Sequence, residues 1–103
     1  HIPLFIASGT PEKELQCIVE RRGLTSYFID VRGSPLPKQT LIAEIINAHA
    51  LSPGKVLMVG DAMADYLGAK ANNTAFLGRV RPGDTNPFPI DVEVVPDLHA
   101  LLT

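Results

Sequence analysis

Short apolar runs, each closed by glycine or a polar residue and followed by a different local pattern, constrain this chain more than any other feature. "PLFIA" (residues 3–7) runs into "SGTP", "VLMVG" (56–60) runs into Asp61, and "AFLGRV" (75–80) runs into "RPGDTNPFP". Runs of this length suit strands covered on both faces better than helices. Helical patterns lie between them, and strands that alternate with helices predict an α/β fold with a parallel sheet and helices on both faces.

The helical segments carry their own signals. Thr10 is placed to cap a helix with Pro11 at its first position, and Glu12 and Glu14 fall in the first turn, where acids suit the positive dipole end. Leu15, Ile18 and Val19 give that helix an inner face, with Cys17 on or beside it as a small buried side chain. Gly23 reads as a left-handed cap. "SYFIDV" is expected to form a short strand and "RGSPLPK" a loop. From about Lys38, residues Leu41, Ile42, Ile45, Ile46 and His49 recur at helical spacing. "SPGK" breaks the chain, "AMADYLGAKA" predicts a helix stopped at Asn72 and Asn73, "VEVV" a last strand, and a short helix begins near Asp97.

The chain has 103 residues, 46% of them hydrophobic, which predicts one modest core, read here as a single domain over 1–103 with no linker and no repeat. A formal net charge of -2 with scattered basic residues argues against nucleic acid or an anionic membrane as partner. The single cysteine excludes an internal disulfide and suits a reducing, cytoplasmic setting. No apolar stretch approaches the roughly 20 residues that span a bilayer.

In parallel sheets ligands gather beyond the carboxyl ends of the strands. Asp61 stands at such an exit and Asp65 follows in the first turn of the next helix, so the two can converge on a hard cation such as Mg2+. An acid at a helix start can equally do no more than satisfy backbone donors, and for Asp65 both roles stay open. Ser8 holds the matching place after the first strand. With Gly9 and Thr10 it offers hydroxyl and backbone donors to an oxyanion, or forms a plain turn. Lys38, in a proline-stiffened loop at a helix start, opposes the dipole unless an anion compensates. Asp30, Arg79 and Arg81 read as solvated charges near strand ends, with a substrate contact open for either arginine. His49, near a helix C-terminus, is favourable there without any catalytic role. No G-x-G-x-x-G fingerprint is present, which disfavours a dinucleotide site.

Together "PLFIAS" with its "GTP" continuation, "GSPLPK" and "VLMVGDAMAD" resemble the second, third and fourth motifs of the haloacid dehalogenase superfamily, in its phosphoglycolate-phosphatase-like branch. The resemblance covers nearly the whole chain, in the right order. It implies a Rossmann-like core and a Mg2+-dependent phosphatase that hydrolyses a small phosphorylated metabolite through a phosphoaspartate. By it, Ser8 and the Gly9 backbone would bind the phosphoryl oxygens and Lys38 would neutralise developing charge. Asp61 would ligate Mg2+, with Asp65 ligating or orienting its water shell.

The family's first motif, a strand ending in Asp-x-Asp, has no counterpart here. "YFIDVRG" holds only Asp30, and "PIDVEVV" places Asp91 and Glu93 before the apolar residues. The resemblance therefore implies the C-terminal part of a larger core, with no cap domain within the chain, no nucleophile and no activity of its own. The central first strand would be missing, leaving the strands of Ser8 and Asp61 with open edges. Self-association by strand complementation, or a separate N-terminal fragment, would close them. The alternative is a catalytically inactive binding or regulatory module on the same fold.

Overall fold

A computed structural model describes residues 3–96. It divides into two compact units, His1–Ala50 and Leu51–Thr103, where the sequence suggests one domain. The division follows the backbone hydrogen bonding, since each unit carries its own parallel ladder. The helix expected near Asp97 lies outside the described residues.

The first unit contains β1 (Phe5–Pro11), α1 (Glu12–Arg21), β2 (Asp30–Ser34) and α2 (Lys38–Ala48). β1 pairs in parallel with β2, Phe5 opposite Asp30 and Ala7 opposite Arg32, and the register then slips so that Pro11 faces Ser34. That slip corrects the expected cap: the strand runs on through Thr10, and α1 starts after Pro11 with no side-chain cap. β2 also begins later than "SYFIDV" suggests, because Thr25–Tyr27 form a 3-10 turn. Gly33 in β2 is obligatory for its surroundings, as a Cβ there would lie 2.8 Å from the Glu12 Cα. Its N–H instead donates to Glu12 Oε1 at 3.3 Å.

Helix ends follow the sequence closely. Gly23, at φ 66°, closes α1 with Leu24 N–H donating to the Val19 carbonyl and Gly23 N–H to that of Glu20, a Schellman motif. Leu15 and Val19 of α1 are buried, as are Leu41, Ile42, Ile45 and Ile46 of α2. Each such aliphatic side chain contributes about 2 kcal/mol of burial. Ile18 and Cys17 are exposed rather than turned inward, because the buried stripe of this short helix narrows to the i, i+4 pair. Phe5, Ile6 and Ala7 are half-buried, not enclosed on both faces; β1 is an edge strand of its ladder.

The second unit contains β3 (Leu57–Gly60), α3 (Met63–Ala71), β4 (Ala75–Arg79) and β5 (Val94–Val95), with strand order β3-β4-β5 and parallel pairing throughout. Asn73 takes φ 59° after α3, and Thr74 and Asn73 N–H groups donate to the Ala69 and Lys70 carbonyls, so the two asparagines do stop the helix. The loop after β4 is pinned by Phe88. Its N–H donates to Asn86 Oδ1 at 2.9 Å, and its ring packs edge-on against Phe76 and Tyr66. Gly78 admits that ring, since a Cβ there would come within 2.6 Å of it.

One polar cluster joins β2 to α2. Asp30 Oδ2 accepts from Arg32 Nε at 2.9 Å and lies 2.9 Å from His49 Nε2, while Arg32 donates onward to Glu44 at 3.1 Å. The His49 ring also stacks at a tilt on Phe5. Asp30 is thus paired, with Arg32 and His49, and is not solvated loop charge. Burial opposes ionisation of Asp30, yet the hydrogen bonds from His49 and Arg32 with their charges hold its pKa below the ordinary value. A depressed carboxylate contributes stability that is complete above the unfolded value of about 3.9 and is lost as pH falls through the folded one. Asp30→Asn should therefore lower stability at neutral pH by about 1 kcal/mol and flatten its fall below pH about 4. Urea titrations at pH 7 and pH 3 check both; equal losses at the two pH values would rule the pairing out.

Candidate functional site

The fold delivers the sequence-picked residues to strand ends in two sets. In the first unit, Ser8 and Gly9 lie in the last part of β1 and Lys38 opens α2 just beyond β2, all toward the carboxyl ends of two parallel strands. Ser8 Oγ accepts the Thr10 N–H at 3.2 Å, which leaves the hydroxyl proton for an outside acceptor. Gly9 is exposed, and a Cβ on it would meet open space at an ordinary φ. Nothing in the surroundings of β1 demands glycine at this position. Lys38 is half-buried at a helix start with no acid in its first turn and no side-chain cap.

In the second unit, Asp61 and Asp65 meet directly. Asp65 Oδ2 accepts the N–H of Asp61 at 3.1 Å and that of Ala62 at 3.0 Å. Asp65 is only 3% exposed, and it sits where Gly60 has no side chain; a Cβ at Gly60 would fall on the carboxylate. The cap reading of Asp65 is therefore realised. The same clamp orients the backbone so that Asp61, one residue past β3, stays exposed.

Register sets the neighbours of Asp61. Gly60 pairs with Gly78, so the residues that follow, Asp61 and Arg79, leave the sheet side by side. Asp61, Arg79, Arg81, Asp84 and Thr85 line a recess of about 160 Å³. Sequence alone leaves Arg79 and Arg81 open between solvated charge and a substrate contact, because the register that brings Arg79 beside Asp61 is not written in either segment.

Residues 1–73 match the family model described as haloacid dehalogenase-like hydrolase. This chain belongs to the haloacid dehalogenase-like hydrolases. It is 31% identical over 83 residues to a phosphoglycolate phosphatase of Photobacterium profundum, covering 76% of this chain and 36% of that protein. A 5'-nucleotidase of Pseudomonas aeruginosa is 30% identical over 80 residues, 73% of this chain and 36% of that one. Among solved structures, a HAD-superfamily hydrolase from Ehrlichia chaffeensis superposes with TM-score 0.80 at 18% identity over 97% of this chain and 47% of its own. A subfamily IA hydrolase from Geobacter sulfurreducens gives 0.76 at 20% over 99% and 49%. These neighbours establish the α/β, Rossmann-like fold. This haloacid dehalogenase-like chain spans about a third of the length of the curated relatives it matches and about half that of the solved ones. Among its described residues no helix is long and apolar enough to cross a membrane.

The clamp makes Gly60 and Asp65 a mechanical pair. Gly60→Ala should cost about 1–3 kcal/mol, by forcing the buried carboxylate off its amides. Asp65→Ala should cost about 1–2 kcal/mol, while Asp65→Asn, which keeps one acceptor oxygen, should lose less. Thermal melts of the three variants check the order; a wild-type melt for Gly60→Ala would disprove the clamp.

Proposed function

We propose that this chain forms part of a Mg2+-dependent phosphatase that hydrolyses a small phosphate monoester through a phosphoaspartate, supplying phosphate-binding and metal residues while another segment supplies the nucleophile. One observation carries the reading: an exposed carboxylate, Asp61, leaves β3 beside an acid already committed to backbone amides. Mg2+ binds through one or two carboxylates and completes its shell with water and substrate phosphate. Asp61 suits the first requirement. When bound, the ion would stabilise charge on the phosphoryl oxygens.

The chain's own groups then have distinct work. Ser8 donates its hydroxyl proton to a phosphoryl oxygen, helped by the Gly9 N–H. The Lys38 ammonium neutralises charge as the phosphoryl group moves. Asp61 holds the metal, and Asp65 keeps the Asp61 backbone in place and orients the water shell. Catalysis of this kind is positioning and electrostatics more than covalent chemistry.

In the complete enzyme, Asp61→Asn should reduce Mg2+-supported turnover by at least about 100-fold, a loss of roughly 2.7 kcal/mol, with the fold intact by circular dichroism. The present chain alone should release no phosphate from p-nitrophenyl phosphate. Wild-type turnover in the variant, or metal-dependent release by the chain alone, would overturn the proposal.

The same reading carries a partner. β1 and β3 are each the edge of their ladder, so their outer backbone groups favour an added strand, from a second copy or from an N-terminal segment. Light scattering of the purified chain should give a mass above that of one copy, reduced by adding a peptide that supplies the strand. A stoichiometric monomer at micromolar concentration would contradict it.

A further inference from the structure

The segment that carries Ser8 is held by a residue with no part in the proposed chemistry. From Ala7 to Pro11 β1 advances four positions, while β2, from Arg32 to Ser34, advances two. Ser8, Gly9 and Thr10 therefore stand opposite Gly33 alone, as a bulge. Surplus residues of this kind bend a strand and re-aim its side chains, and the regular ladder no longer fixes them.

Three contacts fix this bulge, and they run in series. Glu12 Oε1 accepts the Gly33 N–H at 3.3 Å. Gly33 is buried, and a Cβ on it would fall on the Thr10 carbonyl oxygen and lie 2.9 Å from the Glu12 nitrogen, so its missing side chain lets the bulge close on β2. The Thr10 N–H in turn donates to Ser8 Oγ at 3.2 Å. The hydroxyl that the proposed site uses is thus tied to Glu12 through two backbone segments. An acid in the first turn of a helix also suits the dipole, but Glu14 supplies that charge in the same turn of α1. What Glu12 adds is its reach to β2.

We infer that Glu12 is a positioning residue for phosphate binding: by holding Gly33 against the bulge of Ser8, Gly9 and Thr10, it sets the direction of the Ser8 hydroxyl. The inference rests on Ser8 donating to a phosphoryl oxygen, as proposed above, and names what keeps that donor aimed. A donor displaced by a fraction of its hydrogen-bond length loses much of its effect on a bound group. The part of Glu12 that matters is the acceptor oxygen at its full reach, not the negative charge.

Two variants of the complete Mg2+-loaded protein separate those properties, with p-nitrophenyl phosphate as substrate. Glu12→Asp keeps the charge at the helix start and is one methylene too short for Gly33, whereas Glu12→Gln loses the charge and keeps the acceptor. Glu12→Asp should lower kcat/KM about tenfold, mainly through KM, and Glu12→Gln should stay within about threefold of wild type. On a Ser8→Ala background Glu12→Asp should cost less than about threefold more, because the group it aims is gone. Equal losses in the two Glu12 variants, wild-type turnover in Glu12→Asp, or losses of Glu12→Asp and Ser8→Ala that simply multiply would overturn the inference. If wild type releases no phosphate, or Ser8→Ala matches wild type, the phosphate reading of Ser8 fails by itself. Amide exchange in the same protein then decides the coupling. The Gly33 and Thr10 N–H groups should exchange at least about tenfold faster in Glu12→Asp and at the wild-type rate in Glu12→Gln. An unchanged Thr10 rate in Glu12→Asp ends the inference.

Discussion

A buried carboxylate holding two consecutive amides is the contact on which the candidate metal end depends. Asp65 takes the Asp61 and Ala62 N–H groups onto one oxygen, and Gly60 leaves the room that this oxygen fills. Without the clamp the Asp61 and Ala62 N–H groups that lead into α3 would lose the acceptor they share. With it, the chain passes from strand to helix and Asp61 is left exposed one residue past β3. The fold thus converts one acid into structure in order to expose another.

Much of this was legible because the deciding signals are local. Gly23 and the Asn72–Asn73 pair end their helices as composition suggests, and Leu41, Ile42, Ile45 and Ile46 form the buried face that their spacing predicts. The acid pair of Asp61 and Asp65 was visible in the spacing, as was the possibility that Asp65 serves as a cap. What stayed hidden depends on register or on distant partners. Thr10 looks like a cap until the shifted pairing of Pro11 with Ser34 keeps it in a strand. Asp30 looks like a loose charge until α2 brings His49 to it across nineteen positions. Cys17 and Ile18 look buried if the helix stripe is drawn wide, and are exposed because the covered strip is narrow. Arg79 comes beside Asp61 only through the pairing of Gly60 with Gly78.

The openness of the strands has a physical source of its own. "PLFIA" and "LMVG" have the composition of central strands, yet each lies at the edge of its ladder, and Leu57 is 50% exposed. Apolar β-rich segments at open edges are what natural proteins normally cover or charge. Charge does not guard these edges: β1 has no charged residue, and β3 has none before Asp61. A sequence that leaves such edges undefended is consistent with their being covered by another strand.

The helix starts show how the two kinds of charge are kept apart. Every α-helix begins with amides that favour an anion. At α3 Asp65, in the first turn, takes the two amides that lead into the helix, those of Asp61 and Ala62. The exposed acid next to it is then suited to a cation. At α2 no side chain caps the amides and no acid stands in the first turn, and Lys38 adds a positive charge to a positive pole. At α1 Glu12 occupies the first turn but spends one oxygen on the Gly33 amide of the neighbouring strand, while Ser8, before the turn, keeps its proton. The two units thus treat their helix starts differently: at α3 a buried carboxylate holds the entering backbone, and at α2 no side-chain cap does.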